Sequence, residues 1–398
     1  MNFISSYNLY HQLKINCNIS EQFTIEKIMF GSGGSDNIIL GVSLPETKLI
    51  LKIIPEIIEF NYRIKPNYRK FEIDFYYFLT KNYILTNRTP HIVGIYNNQT
   101  CPHLDKIIRS IKSLKCHTLE EKLSRSIKIS FSDNILCETI DKVSGKIYDP
   151  ECSILLLENC PMEFSPFLTN SFFMLVDKKN DMDIDNFLYA LDRILFQIIF
   201  TLAIIKKDHR GFAHRDLFMR NILLSGELDL SDDDYLAYHY NDKIFYLGAN
   251  GIYAKINDFG LSTITSVLET NVEEFDSTIN EYNHKNSFNE KNDIYNLLYD
   301  LYDGANIGST SLKKLFSIAK SPYRINKEII SYMNKFIRTK TIDKINDNYE
   351  YASNIWGIDK ISLLENTIKT PNEYLMGKHF NSYLKLPENG RVIVHYNR

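Results

Sequence analysis

Two carboxylates and an amide have the types and spacing that phosphoryl transfer requires. Asp216 and Asn221 lie five residues apart in the segment His-Arg-Asp-Leu-Phe-Met-Arg-Asn, and Asp258 begins an Asp-Phe-Gly tripeptide 37 residues after Asn221. Transfer from ATP needs one carboxylate that orients and deprotonates the acceptor hydroxyl, and it needs an amide and a second carboxylate that hold Mg²⁺ against the phosphates. The pattern therefore predicts Asp216 as the base, with Asn221 and Asp258 as metal ligands.

The elements around these residues follow from the spacing of apolar side chains. Apolar residues recur at helical spacing from Phe187 to Leu202, which predicts a long helix buried on one side just before Asp216. Later segments are also helical in pattern, whereas the first half has short apolar runs typical of strands and one helix. The strand runs cover 25–30, 38–42, 48–54 and 152–157, and the helix covers 68–81. The predicted fold class is α+β, with a strand-rich first half and a mainly helical second half.

In this order, the motifs resemble those of the eukaryotic-type protein kinase family. Members of that family have a glycine-rich turn over the ATP phosphates, then a strand lysine that contacts them, then a helix glutamate that holds the lysine. Here Lys52 matches the lysine and Glu72 the glutamate, with Asp74 as the alternative to Glu72. The turn matches Gly31, Ser32, Gly33 and Gly34, and Ile38 stands where the family usually has valine. Glycine in such a turn lets backbone amides approach the phosphates.

The resemblance also implies a hinge that binds adenine. Leu157 would line the back of the pocket, and backbone groups of Glu158 and Cys160 would meet the adenine edge. Asp293 resembles the aspartate that braces the catalytic loop through backbone hydrogen bonds.

Departures from the family pattern indicate a divergent branch. Asp36 replaces the third glycine, and Phe218 takes the place of the lysine that serine/threonine kinases carry two residues after the catalytic aspartate. Arg220 matches the arginine of many tyrosine kinases, and we expect it to supply the missing cation. No Ala-Pro-Glu follows the Asp-Phe-Gly, and the segment between Asn221 and Asp258 is long enough for an extra hairpin. The enlarged segment resembles haspin-like kinases and the serine/threonine kinases of large DNA viruses.

The resemblance implies a two-lobed kinase-like fold and a protein substrate, with ATP and Mg²⁺ as cofactors. The overall layout favours a Ser or Thr acceptor, whereas Phe218 and Arg220 leave a Tyr acceptor open. The small lobe would be rich in strands with one helix, and the larger lobe would be mainly helical. The expected boundaries are an N-terminal extension over 1–22, an N-lobe over 23–160 with an insertion at about 97–150, a C-lobe over 161–380 with an enlarged hairpin at about 225–255, and a C-terminal tail over 381–398.

Two other classes of function stay open at this stage. A catalytically weak pseudokinase scaffold is favoured by Asp36, by Phe218 and by the missing Ala-Pro-Glu, and is disfavoured because the catalytic set is intact. A small-molecule kinase of the aminoglycoside or choline type shares the Asp…Asn…Asp arrangement. Such enzymes usually lack the arginine beside the catalytic aspartate and the Phe-Gly after the metal aspartate, and both are present here.

The net charge and the length of the longest apolar stretch argue against two kinds of partner, nucleic acid and a membrane. The 46 Lys and Arg against 49 Asp and Glu give a formal net charge of −3, which argues against a protein that coats nucleic acid or an anionic membrane. The longest apolar stretch, Ile194 to Ile205, is too short to span a bilayer. The N-terminus lacks the pattern of a secretory signal. We therefore expect no nucleic-acid partner and no membrane span.

The six dispersed cysteines predict a reduced protein. We expect it to be soluble and intracellular, in the cytoplasm of a host cell or in the virion if it is viral. A zinc set formed by Cys101, His103, Cys116 and His117 is disfavoured, because the spacing contains no Cys-x-x-Cys.

Overall fold

The chain divides into two compact units in this computed structural model. The first contains Met1–Tyr77 and Gly94–Asn159, and the second contains Phe78–Val93 and Cys160–Arg398. The predicted α+β class is confirmed, because strands dominate the first unit and helices the second. The structure describes residues 3–30, 37–45, 47–57, 68–104, 106–107, 148–177, 183–226, 230–265, 267–268, 290–304, 310–337 and 368–398.

An antiparallel sheet forms the core of the first unit, with the strand order β1-β2-β3-β5-β4. Its strands are β1 (Thr24–Phe30), β2 (Ile38–Leu44), β3 (Thr47–Ile57), β4 (Ile95–Pro102) and β5 (Tyr148–Glu158). Ile38, Leu40 and Val42 alternate with less buried residues along β2, as expected of a strand with one face on a core. The four strands predicted from apolar runs are therefore confirmed as β1, β2, β3 and β5.

β4 was missed by the sequence analysis, which assigned residues 97–150 to an insertion. The strand covers Ile95–Pro102, and its segment Asn97 to Thr100 is polar, so no apolar run marks it. β4 lies at the edge of the sheet, where polar side chains are tolerated and limit pairing with other chains. Residues 108–147 of the expected insertion lie outside the described residues.

Helices α1 (Phe3–Tyr10) and α2 (Ile19–Gln22) precede the sheet, and α3 (Tyr68–Leu79) follows β3. α3 confirms the helix predicted over 68–81, and a π-helical turn over Thr80–Ile84 continues it. Phe75, Tyr76 and Leu79 have no exposed side-chain surface, so the apolar face read from the sequence is the buried one.

The second unit is built around one long helix. Its helices are α4 (Phe164–Asp177), α5 (Ile184–Asp208), α6 (Asn292–Tyr302), α7 (Leu312–Ile318), α8 (Tyr323–Met333) and α9 (Pro371–Met376). Asp183 caps α5, because its Oδ1 accepts a hydrogen bond from the Asn186 N–H at 2.8 Å. The helical pattern of the later segments is confirmed by α6, α7 and α8.

Among the described residues, only α5 is long and apolar enough, by length and composition, to cross a membrane. This corrects the sequence estimate, which counted only the stretch from 194 to 205. However, 78% of the apolar window of α5 is buried inside the protein. That burial is typical of a core helix.

The second unit also contains short strands, which are joined by loops. They are β6 (Met162–Glu163), β7 (Phe212–Ala213), β8 (Ile222–Ser225), β9 (Asp234–Tyr240), β10 (Lys243–Gly248), β11 (Tyr253–Ile256), β12 (Thr263–Ile264) and β13 (Arg391–Tyr396). β8 pairs with β11 and β6, and β7 pairs with β12. β9 and β10 form an antiparallel hairpin within the range 225–255 expected to be enlarged.

The C-terminal segment adds a third strand to this hairpin. β13 pairs with β9 in parallel, and Arg391 Nη2 lies 2.7 Å from Asp234 Oδ1. Residues 381–398, which were expected to form a separate tail, therefore belong to the second unit. The division differs from the expected one in three more places, since residues 1–22 belong to the first unit, and residues 78–93 and Cys160 belong to the second.

A disulfide joins Cys17 to Cys101. The expectation that the cysteines are reduced is therefore wrong for these two residues, whereas Cys152 and Cys160 are thiols. The sequence did not reveal the bond because 84 residues separate its two cysteines. The bond also removes Cys101 as a thiolate ligand, and Cys116 and His117 of the zinc set lie outside the described residues.

We predict that Phe196→Ala destabilises the protein by about 3–5 kcal/mol, because it removes a large buried side chain and leaves a cavity. Phe196 is fully buried and its ring contacts those of Phe200, Tyr238, Phe245, Phe380 and Tyr383. The matched control is Tyr323→Ala, because Tyr323 is 81% exposed and its loss should change stability by less than about 0.5 kcal/mol. Urea unfolding of both variants measures the difference, and equal midpoints would contradict the packing described here.

Candidate active site

Asp216 lies between two side chains of its own loop. Its Oδ1 accepts a hydrogen bond from Arg220 Nη2 at 2.6 Å, and its Oδ2 accepts one from Asn221 Nδ2 at 2.7 Å. Asn221 Nδ2 also donates to the backbone oxygen of Asp216 at 2.7 Å. A 3₁₀ turn over Met219–Asn221 brings both donors back to the carboxylate. The structure thus brings together three of the predicted site residues, and the Asp216 side chain remains 18% exposed.

Phe218 supports the cation beside Asp216. The guanidinium carbon of Arg220 lies 4.8 Å from the centroid of the Phe218 ring, a distance at which a ring face attracts a cation. The Phe218 N–H donates to the Asp216 backbone oxygen at 3.0 Å. The residue that replaces the family's lysine therefore carries no charge itself, but it positions an arginine that does.

Asp293, in the first turn of α6, holds the backbone that leads to Asp216. Its carboxylate accepts hydrogen bonds from the N–H groups of His214 and Arg215 at 3.0–3.2 Å, and Lys206 Nζ lies 3.1 Å from its Oδ2. Burial alone would raise the pKa of Asp293. Lys206, His214 and the two backbone hydrogen bonds outweigh burial and lower the pKa below its ordinary value of 3.8. The carboxylate therefore stays ionised at neutral pH.

An antiparallel strand pair places Asn221 and Asp258 at the same end. Ile222 of β8 is opposite Ile256 of β11, so Asn221 directly precedes one strand and Asp258 follows the other by two residues. The Asn257 N–H donates to the Asn221 backbone oxygen at 2.9 Å, which continues the pairing. Asp258 has a φ of 64°, a left-handed conformation that is sparsely populated outside glycine and concentrates at functional sites.

Lys52 and Glu72 form a buried ion pair within the first unit. Lys52 Nζ lies 2.6 Å from Glu72 Oε1, and the two side chains are 6% and 1% exposed. β3 carries the lysine and α3 the glutamate. Glu72 occurs on the same helix as the buried Phe75, Tyr76 and Leu79, which points it toward the sheet. Of the two carboxylates proposed from the sequence, Glu72 rather than Asp74 is the partner of the lysine.

A curated relative matches the chain from end to end. The protein named "Putative serine/threonine-protein kinase R301", from Acanthamoeba polyphaga mimivirus, is 45% identical over 400 residues, which covers 100% of this chain and 99% of the relative. The chain belongs to the protein kinase family. A second mimivirus protein, "Putative serine/threonine-protein kinase R400", is 29% identical over 109 residues, or 26% of this chain and 23% of that protein.

A solved structure, "Crystal structure of BubR1 kinase domain", is 13% identical to this kinase with a TM-score of 0.34, and the match covers 63% of this chain and 49% of that chain. No protein-family model matches the chain. The resemblance to kinases of large DNA viruses is therefore confirmed by the full-length relative.

The expected hinge residues of this kinase lie at the end of β5 and just after it. Leu157 is buried and opposite Ile50 of β3. The Glu158 N–H donates to Gly94 O at 3.0 Å, so this N–H already has a protein partner. Cys160 is buried and begins the second unit. Ile38 is buried in β2, whereas Gly31, Ser32, Gly33, Gly34 and Asp36 of the glycine-rich turn lie outside the described residues.

The segment after Asp258 is described only at its start. Thr263 is buried in β12, which pairs with β7, so its hydroxyl is not accessible for phosphorylation. Thr265 is exposed. Apart from the buried Ser262, the remaining Ser and Thr residues between Asp258 and Glu290, namely Ser266, Thr270, Ser277, Thr278 and Ser287, lie outside the described residues.

The donor atoms of Asn221 and Asp258 fit Mg²⁺, which prefers carboxylate and carbonyl oxygens. Both hydrogen bonds from the Asn221 amide nitrogen go to Asp216. The amide is thereby fixed with its oxygen turned away from that carboxylate, as a metal ligand requires.

Lys206 is a site residue that the sequence analysis missed. It lies near the end of α5, is 5% exposed in its side chain and pairs with the fully buried Asp293. The sequence feature that could have indicated this role was a lysine in the last turn of a long, mainly apolar helix. That signal is weak, because lysine near a helix C-terminus is common for electrostatic reasons alone.

We predict that Asp293→Asn destabilises this kinase by about 3–5 kcal/mol at pH 7, because it leaves the Lys206 ammonium buried without a counter-charge. Since the pKa of Asp293 is lowered by folding, its ionised form stabilises the protein above pH 3.8, and that contribution is lost as the pH falls through the lowered value. The difference between wild type and variant in urea unfolding should therefore shrink in acid.

Two controls distinguish the charge effect from general disruption. Lys206→Met added to Asp293→Asn should recover part of the loss, because it removes the unpaired cation. Glu328→Gln breaks an exposed pair with Arg324, whose side chain is 88% exposed, and should cost less than about 1 kcal/mol. A double variant less stable than Asp293→Asn would contradict this role of the pair.

Proposed function

We propose that this protein is an ATP- and Mg²⁺-dependent protein kinase that transfers the γ-phosphoryl group to a Ser or Thr hydroxyl of a protein substrate. The observation that carries the proposal is the Asp216 carboxylate, held between Arg220 and Asn221 yet still open to solvent. A scaffold has no need for a carboxylate that is both fixed and accessible.

Asp216 acts on the acceptor. One of its oxygens accepts the hydrogen bond of the Ser or Thr hydroxyl, orients that oxygen toward the γ-phosphorus and takes its proton as the new P–O bond forms. Arg220, 2.6 Å from Oδ1, holds the carboxylate in place. It also supplies a positive charge near the transferring group, where the family usually has a lysine.

Asn221 and Asp258 hold Mg²⁺ through the amide oxygen and the carboxylate. When bound, the metal would neutralise the negative charge of the phosphates. The left-handed backbone at Asp258 and the strand pairing beside Asn221 fix the directions in which these donors point, so little reorganisation is needed on binding.

Lys52 contacts the α- and β-phosphates, and Glu72 holds the ammonium in place. The short distance between them and their burial support this role, because a buried lysine needs a counter-charge until a phosphate provides a second one. Gly31, Ser32, Gly33 and Gly34 would cover the phosphates. Ile38 and Leu157 would contact the adenine, with backbone groups of Glu158 and Cys160 at its edge.

A hydroxyl of Ser or Thr is the proposed acceptor, rather than Tyr. The full-length relative is named as a serine/threonine kinase, and the layout of the motifs agrees with that class. Arg220 is the feature shared with many tyrosine kinases. Its role here is to supply the cation that Phe218 cannot.

We predict that Asp216→Asn lowers transfer of labelled γ-phosphate from Mg-ATP to a generic basic protein by roughly 10²–10⁴-fold, because it removes the base. The matched control is Asp242→Asn, at the exposed turn between β9 and β10, which should retain full activity. Acid hydrolysis of the labelled product should yield phosphoserine or phosphothreonine.

Three results would contradict the proposal in different ways. Label on tyrosine would overturn the acceptor class. Equal transfer by wild type and Asp216→Asn would overturn the role of Asp216. No transfer by wild type, with a melting temperature that Mg-ATP still raises, would favour a pseudokinase scaffold.

A further inference from the structure

Three cysteines lie close together in the first unit, two of them on neighbouring strands of its sheet. Cys17 is bonded to Cys101 with a Cα–Cα distance of 5.6 Å. Cys101 lies on β4, directly opposite Cys152 of β5 in the antiparallel register. Cys101 and Cys152 have no exposed surface, and Cys152 is a thiol.

Cys101 is close enough to form a disulfide with either Cys17 or Cys152. Residues directly opposite each other on antiparallel strands point to the same face, with Cα atoms about 4.5–5.5 Å apart. Disulfides form between cysteines whose Cα atoms are about 4.4–6.8 Å apart. The register therefore offers Cys101 a second partner without any change in strand pairing.

We propose that Cys17, Cys101 and Cys152 form an internal thiol–disulfide exchange site. The Cys152 sulfur attacks the Cys101 sulfur, a Cys101–Cys152 bond forms, and the Cys17–Cys101 bond breaks with its electron pair left on the Cys17 sulfur. The proton lost by Cys152 is balanced by the one that Cys17 gains. One disulfide and one thiol are present before and after, so the step needs no external oxidant or reductant.

The surroundings of Cys17 suit a departing thiolate. A cavity of about 380 Å³ is lined by both disulfide cysteines, together with His103 and Lys106. A cation near the leaving sulfur favours its thiolate form and so speeds exchange. Cys17 lines this cavity and is half-buried, whereas Cys152 is fully buried.

Exchange would change how the N-terminal segment, residues 3–22, is attached. In the described state this segment is bound covalently to β4 and through hydrogen bonds, such as Tyr10 Oη to Thr47 Oγ1 at 2.7 Å and Asn97 Nδ2 to Leu13 O at 2.9 Å. After exchange only the noncovalent contacts remain, and the disulfide joins two neighbouring strands instead. The site would thus couple the position of the disulfide in the first unit to the attachment of its N-terminal segment.

The test traps the released Cys17 in the full-length protein. Cys116→Ser and Cys137→Ser are introduced first, because these residues lie outside the described part of the chain, and Cys160 is kept as a buried reference thiol. The protein is oxidised with glutathione disulfide, freed of small thiols and incubated with N-ethylmaleimide. Digestion with trypsin and a glutamate-specific protease separates Cys152 from Cys160, since Glu158 lies between them.

We expect peptide mapping without reduction to show N-ethylmaleimide on Cys17 together with a Cys101–Cys152 bond. The rate should rise about tenfold per pH unit below the thiol pKa, because the thiolate is the nucleophile. In the matched control Cys152→Ala, the Cys17–Cys101 bond should persist and Cys17 should stay unmodified. Cys17→Ala should form the Cys101–Cys152 bond on oxidation.

Three outcomes would overturn the proposal. The first is modification of Cys152 while the Cys17–Cys101 bond persists. The second is trapping of Cys17 at the same rate in Cys152→Ala. The third is a Cys17→Ala protein whose Cys101 and Cys152 remain unbridged in a buffer that oxidises Cys152→Ala.

Discussion

The buried carboxylate of Asp293 fixes the segment on which the proposed chemistry depends. It binds the backbone N–H groups of His214 and Arg215 and the ammonium of Lys206, and so ties the ends of two helices to one loop. Burying a carboxylate is costly unless its lone pairs are satisfied. Here three donors satisfy them, and the same donors hold Arg215 in a left-handed conformation, with a φ of 66°, just before Asp216.

From this carboxylate, a chain of backbone contacts extends to the proposed metal ligands. His214 Nε2 donates to Asn257 O at 3.0 Å, and the Asn257 N–H donates to Asn221 O at 2.9 Å. Asn221 then donates to Asp216. Because each contact uses a backbone group or a buried side chain, the proposed base and the proposed metal ligands of the second unit are positioned together. Phosphoryl transfer depends mainly on such positioning and on charge.

The sequence was most informative where chemistry restricts the residue type. The spacing of Asp216, Asn221 and Asp258 and the order of Lys52 and Glu72 could be recognised without a fold, and strong periodicity predicted α3, α5 and four strands. It was least informative where partners meet only in the folded chain. The disulfide between Cys17 and Cys101, the polar edge strand β4 and the pairing of Lys206 with Asp293 have at most a weak local signal, because each depends on contacts distant in sequence.

The central claim is that Asn221 and Asp258 hold the metal of Mg-ATP. Its most direct test is calorimetric titration with a non-hydrolysable ATP analogue in the presence and absence of Mg²⁺. Asp258→Asn is the informative variant, because asparagine tolerates the left-handed backbone at this position and loses only the charge. The account predicts that Mg²⁺ tightens binding to wild type and has little effect on the variant. The same dependence on Mg²⁺ in both proteins, or none in wild type, would contradict it.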